Sequence, residues 1–335
     1  MESRSDRRGL CGPSMSKSCI VTGAAGFIGS HLVDRLLTLG YRVAGVDNLL
    51  LGKRVHLDCA MQNADFSFKE VDVNDYDACL SFLREAAAGG GHDVLWHLAA
   101  NSDIQGGAND PAIDLKATFM TTYNALKMAR ALGVPHFAFA SSSAIYGEHK
   151  EAVDEDTGPW FPVSNYGAMK LASEATITAG LEQFLKQAWI FRFPNVVGGR
   201  ATHGVIYDLL NKLQRHPDEL EVLGDGSQEK PYLHVSELID AMVHLYEKAQ
   251  ERLNYHNIAP PDSTTTVRYI AAAVVRATSP DAKIRYTGGS RGWTGDVPQF
   301  RYKVDKLRAS GWLPKMTSNE AVERAIRECL AAHKR

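Results

Sequence analysis

The sequence has no strong excess of charge of either sign and no long apolar segment. Its 335 residues include 37 Lys and Arg and 39 Asp and Glu, so the formal net charge is −2. Nucleic-acid binding depends on concentrated positive charge, and this balance gives no reason to expect it. No apolar run approaches the roughly 18 residues of a membrane span. We therefore expect neither a nucleic-acid partner nor insertion into a membrane.

Cysteine is also scarce, with five residues that are widely spaced and include no C-x-x-C pair. This pattern favours neither a disulfide framework nor a zinc site, and no metal is predicted. Residues 1–14 contain three arginines but lack the apolar core of a secretory signal. We therefore predict a cytoplasmic protein with a disordered leader over residues 1–14 and with Met1 or Met15 as the native start.

Short apolar strands alternate with helical patterns through the first half of the chain. Six strands are predicted there, over residues 18–22, 41–46, 66–71, 94–100, 136–140 and 188–193. Long helices are predicted over residues 112–132 and 165–187, and a later strand over 255–258 could return to the main sheet. Strands and helices at this spacing indicate right-handed βαβ units. The prediction is an α/β fold with a Rossmann-type, doubly wound parallel sheet.

The rhythm changes after Pro194, where loops and helices replace regular alternation. We interpret this part as a smaller C-terminal α/β cap that binds substrate. The predicted sheet domain comprises residues 15–197 and 232–260, and the predicted cap comprises residues 198–231 and 261–335.

A glycine-rich turn joins the first predicted strand to the first helix, with the pattern Gly23-x-x-Gly26-x-x-Gly29. Glycines at this spacing let the backbone approach a pyrophosphate, and the amides at the helix N-terminus can bind the phosphates. Asp47 ends the second strand, where a carboxylate can accept hydrogen bonds from the ribose hydroxyls. Because a carboxylate there repels a 2′-phosphate, the pattern predicts NAD rather than NADP.

A run of serines and a Tyr-x-x-x-Lys pair supply groups for acid–base chemistry. Ser141-Ser142-Ser143 follow the fifth strand, and Tyr166 and Lys170 share one face of the next helix. A tyrosine with its ordinary pKa near 10 is a poor base at neutral pH, but adjacent positive charges favour the phenolate. Lowering that pKa by about three units requires ~4 kcal/mol. We therefore predict that Lys170 and a nicotinamide ring activate Tyr166.

Together these motifs resemble the extended short-chain dehydrogenase/reductase family, in particular its nucleotide-sugar epimerases and dehydratases, with greatest similarity to UDP-glucose 4-epimerases. The resemblance runs from about Lys17 to Trp312. It rests on the glycine turn and on Val46-Asp47-Asn48, His97-Leu98-Ala99-Ala100, Ser141-Ser142-Ser143-Ala144-Ile145-Tyr146-Gly147, Tyr166-x-x-x-Lys170, Arg192-x-Pro194-Asn195-Val196 and Gly295-Asp296-Val297-Pro298.

The resemblance implies a reaction. Ser142 takes the position of the catalytic Ser or Thr, with Ser143 as its neighbour and second choice. Dehydratases of the family place Asp-Glu at the next two positions and decarboxylating relatives place a Glu, whereas this chain has Ser143-Ala144. Without those carboxylates the elimination of water lacks a proton relay. The implied function is epimerisation at C4 of a nucleotide sugar, most simply UDP-glucose and UDP-galactose, through a 4-keto intermediate.

Three alternatives remain open from the sequence. The substrate could be another nucleotide sugar, such as a uronate, an N-acetylhexosamine or a GDP- or CDP-sugar. The reaction could be the reduction of a 4-keto sugar, which consumes reduced cofactor. A non-catalytic NAD-binding regulator is the third, although the intact Ser142, Tyr166 and Lys170 count against it.

The resemblance also implies the remaining site residues. Besides Tyr166 and Lys170, the cofactor is expected to contact Gly23, Gly26, Phe27, Ile28, Gly29, Asp47, Asn48, Asp72, Val73, Leu98, Ala99, Ala100 and Phe193. Asp72 could instead only cap the following helix. The substrate is expected to contact Ser102, Ser142, Ser143, Asn195, Lys230 and Arg291.

The chain departs from the family's pattern at three of the implied positions. Lys230 replaces an Arg, and Thr118 replaces an Asn that contacts the cofactor in relatives. Trp293 replaces a second Arg, and Arg291 is the nearby cation expected to take its role. A homodimer through the two long helices is the family-level expectation.

Overall fold

The computed structural model describes residues 17–87, 90–292 and 295–333. The predicted leader, Met15 and Trp293 lie outside these ranges. Thirteen strands are described: β1 Ser18–Thr22, β2 Arg42–Asp47, β3 Phe66–Glu70, β4 Val94–His97, β5 His136–Ser142, β6 Gln187–Phe193, β7 Asn195–Val197, β8 Glu219–Val222, β9 Glu229–Lys230, β10 Tyr232–His234, β11 Leu253–Asn257, β12 Thr265–Thr266 and β13 Lys283–Tyr286.

Eleven α-helices lie in the described ranges: α1 Phe27–Thr38, α2 Tyr76–Ala86, α3 Ile104–Asn109, α4 Pro111–Asp114, α5 Thr121–Leu132, α6 Asn165–Gln183, α7 Val205–Arg215, α8 Val235–Lys248, α9 Val267–Thr278, α10 Asp305–Ala309 and α11 Ser318–His333. A π-helical segment, Leu115–Met120, joins α4 to α5. Within the described ranges, none of the helices has the length and apolar character needed to cross a membrane.

Seven parallel strands form the central sheet in the order β3-β2-β1-β4-β5-β6-β11. This order confirms the predicted doubly wound sheet, and β11 returns to pair with β6 as expected. The strand order reverses between β1 and β4, so the loops that leave these strands diverge and open a crevice at their carboxyl ends. The glycine turn and the segment after His97 lie at that crevice.

The sheet is buried on both faces, which explains why its strands are apolar without alternation. Neighbouring residues of β1 illustrate this, because Ile20 and Val21 belong to different core clusters and both are 0% exposed. On one face, Trp96 and Trp189 pack with residues of α1 and α8. On the other face, Phe137 packs with residues of α2, α5 and α6.

A third core of buried residues lies in the later part of the chain. Strands β8 and β13 pair in parallel, and the apolar faces of α7, α9 and α11 pack together beside them. Leu210, Val274 and Val322 are among its buried residues. Strands β7 and β10 pair in parallel and contribute Val197 and Tyr232 to the same core.

The two long helices differ from the predictions in ways that have local causes. Residues 112–132 follow one helical path, but it contains the π-helical segment. Helix α6 ends at Gln183, four residues before the predicted end. The amides of Phe184 and Leu185 both donate to the carbonyl of Gly180, and Leu185 turns into the core. Burial of Leu185 therefore stops the helix before the residues that begin β6.

Candidate active site

The glycine turn is shaped by close backbone contacts. Gly23 has φ of +71°, and its amide donates to the carbonyl of Val46 at 2.9 Å. A Cβ on Gly23 would lie 2.8 Å from the amide nitrogen of Ala99, and one on Gly29 would lie 1.9 Å from the carbonyl oxygen of Gly23. Side chains are therefore excluded there, and the turn runs straight into the N-terminus of α1. Such a cradle fits the pyrophosphate of a dinucleotide.

Asp47 lies beside this turn at the end of β2. One carboxylate oxygen accepts from the amide of Ala25 at 3.0 Å and the other from that of Leu49 at 2.8 Å. Burial raises the pKa of Asp47, and these amide donors oppose the rise. Asn48 donates to the carboxylate of Asp72 at 2.9 Å, which joins the ends of β2 and β3. These polar groups fit the adenosine half of the same ligand.

The other predicted cofactor contacts lie around the crevice. The amides of Leu98 and Ala99 donate to the hydroxyl of Thr22, which holds the chain after β4 against the glycine turn. Ala100 is half-buried and Val73 is buried. Three more lie at element ends, with Phe27 and Ile28 at the start of α1 and Phe193 at the end of β6.

Tyr166 and Lys170 lie in the first turns of α6. The helix begins there because the hydroxyl of Ser164 accepts from the amide of Gly167 at 3.1 Å. A Cβ on Gly167 would lie 2.3 Å from the carbonyl oxygen of Ala144, so the helix approaches the turn after β5 closely. That approach brings Tyr166 to Ser142, whose side chain hydrogen-bonds it.

Lys170 is held under the tyrosine. Its Nζ donates to the carbonyl of Ala140 at 2.6 Å and lies 5.7 Å from the centre of the Tyr166 ring. The same Nζ lies 4.6 Å from the centre of the Phe139 ring. Ser142, Tyr166 and Lys170 thus form one group at the carboxyl end of β5.

Burial has the largest effect on the pKa values of Tyr166 and Lys170. Burial raises the pKa of Tyr166 to about 12 and the charge of Asp114 adds to the rise, although the hydrogen bond from Ser142 opposes it. Burial also lowers the pKa of Lys170 to about 7, against the raising effect of Glu174 and Asp114. The prediction that Lys170 activates Tyr166 concerns the pair together with a bound nicotinamide ring, and it stays a prediction.

Glu174 lies one turn after Lys170, and sequence reasoning missed it. Its carboxylate accepts from both Nε and Nη2 of Arg192, at 3.1 and 2.7 Å, and from the hydroxyl of Ser141 at 2.5 Å. The side chains of Arg192 and Glu174 are only 4% and 5% exposed. Two features of the sequence could have indicated Glu174: its i, i+4 spacing from Lys170, and the presence of Arg192 inside an apolar strand, where a buried cation needs an acidic partner.

The predicted substrate residues do not all converge on this group. Ser143 bonds to Tyr302, and the side chain of Asn195 bonds to Tyr232 on the neighbouring strand. Ser102 is half-buried after β4, next to Asp103, which caps α3.

The two predicted phosphate-binding cations are each ion-paired. Nζ of Lys230 lies 2.5 Å from a carboxylate oxygen of Asp296, and Nη2 of Arg291 lies 2.7 Å from one of Glu148. Asp296 also accepts from the amide of Gly292 at 3.0 Å, which ties the ion pair to the loop that carries Arg291.

Three features define a dinucleotide-dependent enzyme class: the doubly wound sheet, the glycine turn with an acidic residue on the next strand, and the Ser–Tyr–Lys group with its buried lysine. The model of the NAD dependent epimerase/dehydratase family matches residues 19–259. The chain belongs to this family, as the motifs predicted, and its cofactor is NAD.

Individual relatives extend over nearly the whole chain. A UDP-glucose 4-epimerase from Mycolicibacterium smegmatis is 28% identical over 92% of this chain and 96% of its own length. UDP-glucuronic acid decarboxylase 1 from Arabidopsis thaliana is also 28% identical, over 92% of this chain and 68% of its own length. The crystal structure of a UDP-galactose 4-epimerase matches with a TM-score of 0.81 and 35% identity, over 94% of this chain and 99% of that one.

Proposed function

We propose that this chain is an NAD-dependent nucleotide-sugar 4-epimerase that interconverts UDP-glucose and UDP-galactose. The observation that carries the proposal is the Ser142–Tyr166–Lys170 group, with its buried lysine, next to Ser143-Ala144. This arrangement offers a base for a sugar hydroxyl but no carboxylate at the two positions where eliminating and decarboxylating relatives are expected to have one. The similarity to two 4-epimerases supports the same reaction.

In the proposed mechanism Tyr166 accepts the proton of the sugar 4-hydroxyl while Ser142 holds that oxygen by a hydrogen bond. Bound NAD supplies a two-electron acceptor at C4, and its nicotinamide ring carries a positive charge that favours the phenolate of Tyr166. Lys170 adds its charge at the same place and binds the nicotinamide ribose. The 4-keto sugar would then turn within the pocket, the hydrogen and two electrons removed from C4 would be returned to the opposite face of that carbon, and Tyr166 would return the proton to O4.

The cofactor is proposed to lie along the crevice from the β2 end to α6. The residues proposed to hold it are Gly23, Gly26, Phe27, Ile28, Gly29, Asp47, Asn48, Asp72, Val73, Leu98, Ala99, Ala100, Tyr166, Lys170 and Phe193. The close packing of the backbone at Gly23 and Gly29, where a Cβ atom would clash, supports placing the pyrophosphate at this turn.

The diphosphate of the substrate is proposed to contact Asn195, Lys230 and Arg291, with Ser102 near the sugar. Since Lys230 and Arg291 each have a carboxylate partner, the substrate must share or displace those partners when it binds. Both contacts therefore contribute less than an unpaired cation would, because the existing ion pairs must be weakened.

We also propose a homodimer in which the helical path over residues 111–132 and helix α6 pair with those of a second copy. Leu115 and Tyr123 are large apolar residues left exposed on this path. Light scattering of the purified protein should give twice the chain mass, and a Leu115→Glu variant should shift it toward one chain. A monomeric wild-type protein would refute the proposal.

The function is tested by incubating purified protein with UDP-galactose, UDP-N-acetylgalactosamine and UDP-glucuronate, with no added reduced cofactor, and separating the C4 epimers. UDP-glucose should form from UDP-galactose in many turnovers per bound NAD. Tyr166→Phe should lower kcat by about 10²–10⁴-fold, whereas Tyr286→Phe, in the distant β13, should leave it unchanged.

Two results would contradict the proposal. Turnover only with stoichiometric reduced cofactor would point to a keto-sugar reductase. Failure to form any epimer in protein loaded with NAD would refute epimerase function altogether.

A further inference from the structure

Asp114 is a carboxylate that the reaction described above does not use. It ends α4 where the π-helical segment begins, and it is 0% exposed. One oxygen accepts from Nδ2 of Asn101 at 2.9 Å and from the hydroxyl of Thr118 at 3.3 Å. The other oxygen has no hydrogen-bond partner among the described residues. An unsatisfied buried carboxylate oxygen is unfavourable for folding, and its presence calls for an explanation.

Asp114 packs close to the start of α6, the helix that carries Tyr166. A Cβ on Gly107 would lie 1.9 Å from the unpartnered oxygen, so α3 presses its backbone against Asp114. The carbonyl of Gly107 accepts from Nδ2 of Asn165 at 2.9 Å, and Asn165 directly precedes Tyr166. Asp114, α3 and the start of α6 therefore pack together.

Three titratable groups interact electrostatically with Asp114. Lys170 and Tyr166 belong to α6, and Asp103 lies in the loop before α3. Burial raises the pKa of Asp114, the bonds from Asn101 and Thr118 lower it, and Lys170 also lowers it.

Lys170 has two further charged or titratable neighbours. The charge of Glu174 raises its pKa, and Lys170 in turn lowers the pKa of His97. Around Tyr166 the only charged group that shifts its pKa, among the described residues, is Asp114.

We propose that Asp114 is a positioning residue whose buried negative charge sets the protonation of the Tyr166–Lys170 pair. Together with the charge of Glu174, it favours the ammonium form of Lys170 against the opposing effect of burial. It also favours the protonated form of Tyr166 when no positively charged group is bound beside the tyrosine. The inference rests on the proposed function, because it assigns Asp114 a part in the same acid–base step.

The test is the pH dependence of kcat in an Asp114→Asn variant. The amide can keep its oxygen toward Asn101 and Thr118, so the packing is preserved while the charge is lost. Loss of a nearby negative charge lowers the proton affinity of both members of a coupled pair. The acidic and basic limbs of the plot of kcat against pH should therefore both move to lower pH by about one unit. Asp110→Asn, an exposed cap of α4, should leave the limbs in place.

A structural role would lower kcat at every pH without moving the limbs, and that result would overturn the proposal. If Asp114→Asn does not fold, Thr118→Val provides the second variant, since loss of one donor favours the neutral form of Asp114 and should move both limbs the same way by a smaller amount. An unshifted profile in a folded Thr118→Val variant would overturn the proposal equally. Absence of activity in the wild-type enzyme would instead refute the proposed function.

Discussion

Replacing Glu174 by Gln removes the negative charge that faces Arg192 behind β5 and keeps the size of the side chain. In the native protein the two side chains form a two-point ion pair at 2.7 and 3.1 Å and are nearly inaccessible to water. The remaining partners of Arg192 are neutral, the hydroxyl of Tyr146 and the carbonyl of Glu155. Glu174→Gln therefore leaves a buried guanidinium with no carboxylate partner among the described residues.

Breaking a buried pair on one side costs about 3–5 kcal/mol, because the other charge stays desolvated. With a urea m value of about 3 kcal/mol/M, the unfolding midpoint should fall by about 1 M or more. The exposed pair of Arg252 and Glu182 provides the matched control, with side chains 56% and 75% exposed at 2.8 Å. Glu182→Gln should cost less than about 1 kcal/mol.

The assay is urea unfolding of both variants at pH 7, followed by far-ultraviolet circular dichroism. The same Glu174→Gln variant should lose activity, because Glu174 helps to keep Lys170 protonated. Equal midpoints for the two variants, within error, would refute the reasoning that the Arg192–Glu174 pair is desolvated and structurally essential.

Three further predictions follow from the cofactor turn and the lysine. Gly29→Ala should weaken NAD binding at least ~100-fold in calorimetry, since its Cβ would lie 1.9 Å from the carbonyl oxygen of Gly23. Gly199→Ala is the control and should not weaken binding, because a Cβ there has its nearest neighbouring atom at 3.6 Å. Asp47→Ala should weaken NAD binding and reduce the ratio of NAD affinity to NADP affinity, as measured by titration with each dinucleotide. Lys170→Met should raise the free energy of unfolding at pH 7 by up to about 4 kcal/mol, from which the loss of the bond to Ala140 is subtracted. Because the pKa of Lys170 falls from 10.5 to about 7 on folding, the cost of its charge is greatest below pH 7 and fades as pH rises toward 10.5, so the gain should shrink between pH 7 and pH 9 in urea unfolding. A gain that stays constant or grows over that range would contradict the assignment.

The main sheet could be predicted because its strands are apolar runs separated by amphipathic helices, a pattern set by local burial. Element ends were harder, since they depend on distant contacts. Helix α6 stops at Gln183 because Leu185 is drawn into the core, and no residue nearby signals that stop. The π-helical segment before α5 has no signature in the sequence either.

The catalytic group could be predicted because its motif combines fixed residue types at fixed spacing. Asp114 and Glu174 could not be assigned in this way, because an acidic residue on a helix usually faces water. Their burial depends on tertiary contacts, with the close approach of Gly107 for Asp114 and with Arg192, 18 positions away, for Glu174. The pairing of Lys230 with Asp296 likewise joins residues 66 positions apart, so single motifs could predict the lysine but not its partner.

Isotope tracing tests the central claim, reversible oxidation at C4 with retained NAD, most directly. UDP-galactose labelled with deuterium at C4 is incubated with the NAD-loaded enzyme in light water, and the UDP-glucose formed is analysed by mass spectrometry and NMR. The account predicts that the product keeps its deuterium at C4, because the label leaves and returns within one closed site. Loss of the label to solvent, or its appearance at another carbon, would contradict the account.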